Sequence, residues 1–287
     1  MFKILEKQTL APKIDMLEIH APYIASHAKV GNFVVLRLNE KGERIPLTIA
    51  DSNRKRGSIT LLFQKIGKTT EQLGMLKQGD SIRDVAGPLG HPTRIKRYGT
   101  CVLIGGGIGA ATLYPIAKAL KKRGNNIIVI LGARSKDFLV WEDKFKKNSH
   151  ELLLTTDDGS SGRKGLVTDV FTEIMQKKSI ALVIAVGPVK MMKAVADMTR
   201  PQGISTLVSL NPLMVEGTGM CGSCRVTIAG KTRFACIDGP EFDGHDVDFQ
   251  GLEHRLGFYR KEEEKSYKLF LKRNKKGVKG SRGQGIK

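Results

Sequence analysis

Thr100-Cys-Val-Leu-Ile104-Gly105-Gly-Gly107-Ile-Gly109-Ala110 is an apolar run that ends in four glycines. Its first half reads as a buried strand, its glycines as a tight turn, and the apolar residues that follow to Leu120 as a helix. Asn126-Ile-Ile-Val-Ile-Leu131, Glu151-Leu-Leu-Leu-Thr155 and Ile180-Ala-Leu-Val-Ile-Ala-Val186 repeat the strand theme. Strands that alternate with helices imply an α/β doubly wound parallel sheet. The glycine turn would let a dinucleotide pyrophosphate approach a helix N-terminus at Gly107 and Gly109.

Two more stretches fall at expected strand ends, where open α/β sheets bind ligands. Thr155-Thr-Asp157-Asp158-Gly159-Ser160 opens a polar, glycine-rich loop that runs to Thr168. Val186-Gly187-Pro188 is a turn that starts a helix and leaves bare backbone for an aromatic ring. The acidic residue expected after the second strand is absent, and Gly132-Ala-Arg134-Ser135-Lys136 stands there instead. That argues against an ordinary Rossmann dehydrogenase. Arg134 and Lys136 read either as a 2′-phosphate pocket or as a solvated strand end. Cys101 is expected to be a core thiol, and Met191 and Met192 to pack a helix.

Upstream, residues 1–95 read as all-β. Short alternating segments at Lys3–Lys7, Lys13–Ile19, Asn32–Leu38 and Ser58–Gln64 are separated by Gly, Pro, Asn and Asp turns, which suggests a small antiparallel barrel. Arg44-Ile-Pro46-Leu47-Thr48 places a cation, a rigid proline and a hydroxyl on one extended segment. Phe63-Gln-Lys-Ile-Gly67-Lys68-Thr69-Thr70 reads as a strand, a glycine turn and a helix start whose N–H groups and hydroxyls suit a pyrophosphate. Together they suggest a flavin dinucleotide site. Gly87-Pro88-Leu89-Gly90 and Pro92 close this part, so residues 96–210 form the expected nucleotide domain.

Downstream, three of the four cysteines lie at Cys221, Cys224 and Cys236, spaced C-x2-C-x11-C, in a loop that carries Gly217, Gly219 and Gly222. A tight thiolate pair wrapped by glycine backbone suits a metal centre. The residues between Cys224 and Cys236 read as a hairpin turning at Gly230-Lys231, which returns the third thiol to the loop. A C-x4-C-x2-C run would put a fourth cysteine where Glu216 stands, so Glu216 is the candidate fourth ligand of an iron–sulfur cluster. The alternatives are a zinc site completed by His245, and three unrelated thiols. Residues 211–250 form the expected cluster domain. Beyond them lies a basic extension, 251–287, with a short helix over Lys265–Arg273 and disorder from Asn274.

Length and charge bound the rest. The 287 residues suffice for two or three small domains, and the hydrophobic fraction of 40% is that of a globular protein. No run approaches the roughly 18 apolar residues of a membrane span. Met1–Ile19 has no signal-peptide core, and the sparse cysteines point to a reducing cytoplasm. The net charge of +20 invites a nucleic-acid reading, but aromatics make up only 6% and no stacking motif interleaves with the basic residues. Much of the excess follows Arg260, which reads as a solvated tail or a dock for an acidic partner. A zinc-bearing scaffold that binds nucleic acid leaves both dinucleotide patterns unexplained.

The Arg-x-x-x-Thr segment, Gly-Gly-Gly-Ile-Gly, Asp-Asp-Gly-Ser and Val-Gly-Pro together resemble the ferredoxin–NADP reductase superfamily. The Cys-x2-Cys-x11-Cys stretch narrows this to the branch with the dihydroorotate dehydrogenase electron-transfer subunit. Asn211-Pro-Leu-Met-Val-Glu-Gly-Thr-Gly-Met-Cys-Gly-Ser-Cys and Phe234-Ala-Cys-Ile-Asp-Gly-Pro240 look closer to one group within it. That group is the small subunit of NADH-dependent ferredoxin–NADP oxidoreductase, also known as the sulfide dehydrogenase FAD subunit. The resemblance covers about residues 1–260. It implies one FAD at Arg44, Pro46, Leu47, Thr48, Gly67, Thr69 and Thr70, and NAD(H), or NADP(H), at Gly107, Gly109, Asp158 and Gly187. It implies a [2Fe-2S] cluster on Cys221, Cys224 and Cys236, where Glu216 departs from the Asp of that group. It further implies electron bifurcation, no acid–base residues, and a larger glutamate-synthase-like flavin/iron–sulfur partner through which ferredoxin is engaged.

Overall fold

The structure, a computed structural model, describes residues 1–280, with side chains through residue 273. The first part comprises β1 (Phe2–Ala11), β2 (Ile14–His20), α1 (Pro22–His27), β3 (Phe33–Arg37), β4 (Arg44–Asn53), β5 (Ser58–Gln64), α2 (Lys68–Met75), β6 (Ser81–Ile82) and β7 (Asp84–Leu89). Its strands pair antiparallel in the order β6-β1-β2-β5-β4-β3-β7. The two edge strands are joined through Arg83 alone, so the sheet must curl until its edges meet, and a near-closed barrel results. Leu17, Ile19, Ile59, Leu61 and Phe63 fill the barrel, while Ile14, Met16 and Leu62 on the opposite faces pack outward into a second core. β2 and β5 are therefore buried on both sides, which is why their apolar content exceeds simple alternation.

The second core belongs to the nucleotide domain. Here β8 (Thr100–Gly106), α3 (Ala110–Lys122), β9 (Asn126–Ala133), α4 (Glu142–Asn148), β10 (Glu151–Thr156), β11 (Arg163–Lys164), α5 (Val167–Lys177), β12 (Leu182–Val186), α6 (Val189–Thr199) and β13 (Thr206–Ser209) follow one another. The sheet order is β11-β10-β9-β8-β12-β13, all parallel. α3 and α4 cover one face, with Leu113, Ile116, Leu120 and Phe145; α5 and α6 cover the other, with Val170, Phe171, Met192 and Val195. The strand order reverses between β8 and β12, so a crevice opens at their carboxyl ends. α3 also packs on β4 of the barrel, where the Thr112 and Thr48 hydroxyls meet at 3.1 Å.

The remaining chain forms β14 (Arg225–Ile228), β15 (Lys231–Phe234), β16 (Glu241–Asp243), α7 (Phe249–Leu256) and α8 (Arg260–Gly280). β14 and β15 make the expected hairpin, but it turns at Ala229-Gly230, one residue earlier than expected. Both turn residues have positive φ, +48° and +72°, the backbone twist that suits a two-residue hairpin. β16 adds antiparallel to β13 as the outer strand of the nucleotide sheet. Val226, Ala235, Phe242 and Phe249 join the α5–α6 core. α8 is longer than the Lys265–Arg273 helix expected and runs to Gly280, in keeping with the good helix propensity of its lysines. The disorder expected from Asn274 is thereby corrected as far as Gly280, where the backbone continues the helix; the rest of that expectation, 281–287, lies outside the described residues.

Candidate functional site

A cavity of about 820 Å³ lies where the barrel, the β8/β12 crevice and the C-terminal segment converge. Pro46, Leu47 and Thr48 of β4, Thr70 of α2, Gly107 and Gly109 of the glycine turn, and Gly187 after β12 all line it. Seven expected residues, scattered from 46 to 187, are thus brought to one wall. Gly109 is obligatory there, since a Cβ would stand 2.1 Å from the Val186 carbonyl oxygen. Gly107 has φ +56° and no atom within 4 Å of where its Cβ would be, so bare backbone faces free space.

The other four expected residues sit off this wall. Asp158 folds back on Ser160, accepting from its N–H at 2.9 Å and its hydroxyl at 2.6 Å, and these bonds hold its carboxyl below the ordinary range. The carboxylate side chain on the wall is Asp157. Arg44 is exposed at the start of β4. Gly67 caps α2, and Thr69 is buried beneath Glu43. The Glu43 carboxylate accepts from the Thr69 hydroxyl at 2.7 Å and the Lys68 ammonium at 3.0 Å. Burial works to raise its pKa, yet the bonds from Thr69 and Lys68 prevail and lower it. A carboxylate therefore rests on two side chains at the helix start read as a pyrophosphate cradle.

The wall takes in further residues, some of them outside the expected set. Arg134 is on the wall, Lys136 is not, and Met191 lines the cavity while Met192 is buried in the core as expected. Asn211, Met214 and Pro240 also contribute, and they flank the cysteine loop on both sides. Their only signal was that proximity. Cys101 is a core thiol, fully buried, and burial pushes it up to about 11.

The three loop thiols are free, with Cys224 and Cys236 buried and Cys221 exposed. Among the described residues, no three His, Cys, Asp or Glu side chains gather around a single ion. The donors associate in pairs instead. The Cys236 N–H donates to Cys224 Sγ at 3.4 Å, and burial, then Cys224, pushes the Cys236 thiol up to about 12. Cys221 is lowered chiefly by the Ser223 hydroxyl and N–H, and it lies close enough to Glu216 to feel both its backbone and its carboxylate. Two pairs of donors would suit a two-iron cluster, in which each iron takes two protein donors. His245, the zinc candidate, is engaged by the Thr199 hydroxyl at 2.9 Å. Gly217, Gly219 and Gly222 all have left-handed φ, between +65° and +82°, which folds the loop around its thiols.

Comparison with known proteins agrees with this geometry. A family profile described as the iron–sulfur cluster binding domain of dihydroorotate dehydrogenase B matches residues 211–248, and one described as the oxidoreductase NAD-binding domain matches residues 103–197. The chain is 51% identical over 270 residues to a dihydroorotate dehydrogenase B (NAD(+)) electron transfer subunit homolog from Thermotoga maritima, covering 94% of this chain and 95% of that protein. It is 34% identical over 253 residues to the electron transfer subunit of Desulforamulus reducens, covering 85% and 96%. A solved chain of the NADH-dependent reduced ferredoxin–NADP oxidoreductase, studied for flavin-based electron bifurcation, superposes with a TM-score of 0.89 at 50% identity, covering 94% and 97%. Phthalate dioxygenase reductase shares the fold, with a TM-score of 0.59 at 18% identity, covering 79% and 85%. The chain belongs to the family of dihydroorotate dehydrogenase B electron-transfer subunits and their homologues, iron–sulfur oxidoreductase subunits with a nicotinamide-nucleotide domain.

Proposed function

We propose that this chain takes electron pairs from NAD(H) and passes them singly to a larger flavin/iron–sulfur subunit, as part of an electron-bifurcating NADH-dependent ferredoxin–NADP oxidoreductase. One observation carries the reading. A single cavity is walled by the barrel, the glycine turn of the parallel sheet, and Asn211, Met214 and Pro240 beside the thiol loop. The FAD and [2Fe-2S] cluster of such proteins supply the two-electron and one-electron chemistry, and the protein binds and orients. Lys68, Thr69 and the start of α2 would hold the flavin pyrophosphate, and Pro46, Leu47 and Thr48 would bound its ring. Gly107, Gly109 and Gly187 would let the nicotinamide nucleotide lie on backbone, with Asp157 rather than Asp158 at its edge. Cys221, Cys224 and Cys236, with Glu216, would hold the cluster.

The partner read from the resemblance is a glutamate-synthase-like subunit that engages ferredoxin. No helix among the described residues is long and apolar enough to cross a membrane, and the free thiols suit a reducing cytoplasm. The runner-up, service to a dihydroorotate dehydrogenase, is favoured by the names of the relatives and disfavoured by Glu216 in place of a fourth cysteine. The test is a visible spectrum of protein purified without oxygen, before and after NADH and then NADPH. Flavin bands over broad iron–sulfur absorption, bleached by NADH, are expected. Bleaching by NADPH alone would move Arg134 into a phosphate pocket, and a colourless sample after reconstitution would end the proposal.

A further inference from the structure

The two residues inside the Cys-x2-Cys turn, Gly222 and Ser223, each present a backbone carbonyl to an arginine. Arg225 Nη1 donates to the Gly222 oxygen at 3.2 Å, and Arg255 Nη2, reaching back from α7, donates to the Ser223 oxygen at 3.0 Å. Arg255 is otherwise unusual. Its Nε is the one buried side-chain nitrogen or oxygen among the described residues that has no hydrogen-bond partner. Its guanidinium lies 5.8 Å from the Phe258 ring and within electrostatic reach of Cys224 and Arg225. A half-buried cation whose Nε is buried without a partner, held against a thiol loop, is better accommodated where the loop carries compensating negative charge.

The geometry has a second consequence. Both peptides are trans, and across a trans peptide the N–H points opposite to the C=O. Carbonyls held toward the arginines therefore leave the Ser223 and Cys224 N–H groups facing the other side of the loop. Amides of this segment do reach sulfur: the Cys236 N–H donates to Cys224 Sγ at 3.4 Å. Hydrogen bonds to sulfur and net charge are two of the levers that set a cluster's potential.

We propose that Arg255, assisted by Arg225, tunes the reduction potential of the cluster by pinning the Gly222 and Ser223 carbonyls outward, aiming the loop amides at sulfur, and placing positive charge beside the centre. Reduction adds one electron and hence one negative charge, so both effects favour the reduced form. Arg255 is a positioning residue: it acts through the loop. The proposal rests on the assignment of the cluster to Cys221, Cys224 and Cys236 made above.

The experiment is a redox titration of the full-length holoprotein, read by electron paramagnetic resonance, with iron and sulfide measured on each sample. In R255Q the potential should fall, with about a tenfold loss of the reduced-to-oxidised ratio at fixed potential, ~59 mV for a one-electron couple. R255K keeps a charge and loses the fork, so it should lie between R255Q and wild type. R225Q should show a smaller fall, because Arg225 is exposed and its charge is screened. Full iron in R255Q at the wild-type potential would overturn the proposal. If R255Q binds too little iron to read, R255K decides, and a wild-type potential there overturns it equally. Wild-type protein without iron or sulfide would instead overturn the cluster assignment beneath it.

Discussion

The dinucleotide cavity and the thiol loop are built for ligands by opposite means. The cavity draws its walls from the barrel, the parallel sheet and the C-terminal segment, and much of what it offers is glycine backbone. The loop draws its donors from one short stretch, and they are side chains that no neighbour can replace. A site of the first kind depends on where backbones can approach. A site of the second kind depends on a few atoms. Single side-chain changes should therefore be decisive at the loop and graded at the cavity, whereas adding one methyl group to a glycine should matter most at Gly109 of the cavity, where it would meet backbone.

The largest effect tests the loop. Cys236→Ser should leave the chain folded with its flavin but abolish the cluster, seen as loss of iron and sulfide at constant flavin content. Retention of both would break the contrast. Next comes Gly109→Ala, whose Cβ would press on the Val186 carbonyl, backbone that cannot yield. It should cost about 3 kcal/mol in urea unfolding, in the upper range for overpacking. Gly107→Ala meets open space and should cost only about 1–2 kcal/mol, the penalty of the left-handed backbone.

A gentler test concerns Glu43, which occupies the Lys68 and Thr69 donors. Glu43→Gln removes a negative charge that must leave, or repel, an incoming pyrophosphate. FAD affinity of the flavin-free chain, followed by fluorescence quenching, should rise by up to about tenfold, ~1.4 kcal/mol. Unchanged affinity would mean that Glu43 swings clear at no cost.

The smallest effect lies at the joint between the two regions. Glu241 on β16 accepts from the Thr93 hydroxyl at 2.6 Å, and burial raises its pKa above the ordinary value. The folded chain therefore keeps a proton that the unfolded chain releases, so this residue's contribution falls as pH rises from the unfolded carboxylate pKa through the raised folded one. Glu241→Gln should melt a few degrees higher than wild type at pH 8, with the difference closing toward pH 4. A pH-independent difference would assign the effect to packing.

Much of this contrast was legible along the chain because both kinds of site are announced by local chemistry. The glycines after Ile104 mark where backbone must approach closely, and the Cys-x2-Cys-x11-Cys spacing marks a set of soft donors by residue type alone. Other features were not. β16 is three residues long, too short for any period, and it is a strand only because β13 offers an open edge. Asp157 and Asp158 look alike in sequence, and only the turn at Gly159 decides which one faces the cavity. Arg255 stands 32 residues from Ser223, and nothing in its neighbours signals the loop it grips.

The sequence by itself determined the barrel, the parallel sheet, the glycine turns and the soft donor set, since hydrophobic period, glycine and thiol chemistry act over a few residues. The tertiary structure alone decided that the three parts share one cavity, that Glu43 rests on the anion cradle and that two arginines grip the thiol loop. Those contacts join residues far apart in sequence. They follow from how the packed cores bring surfaces together, which no local pattern encodes.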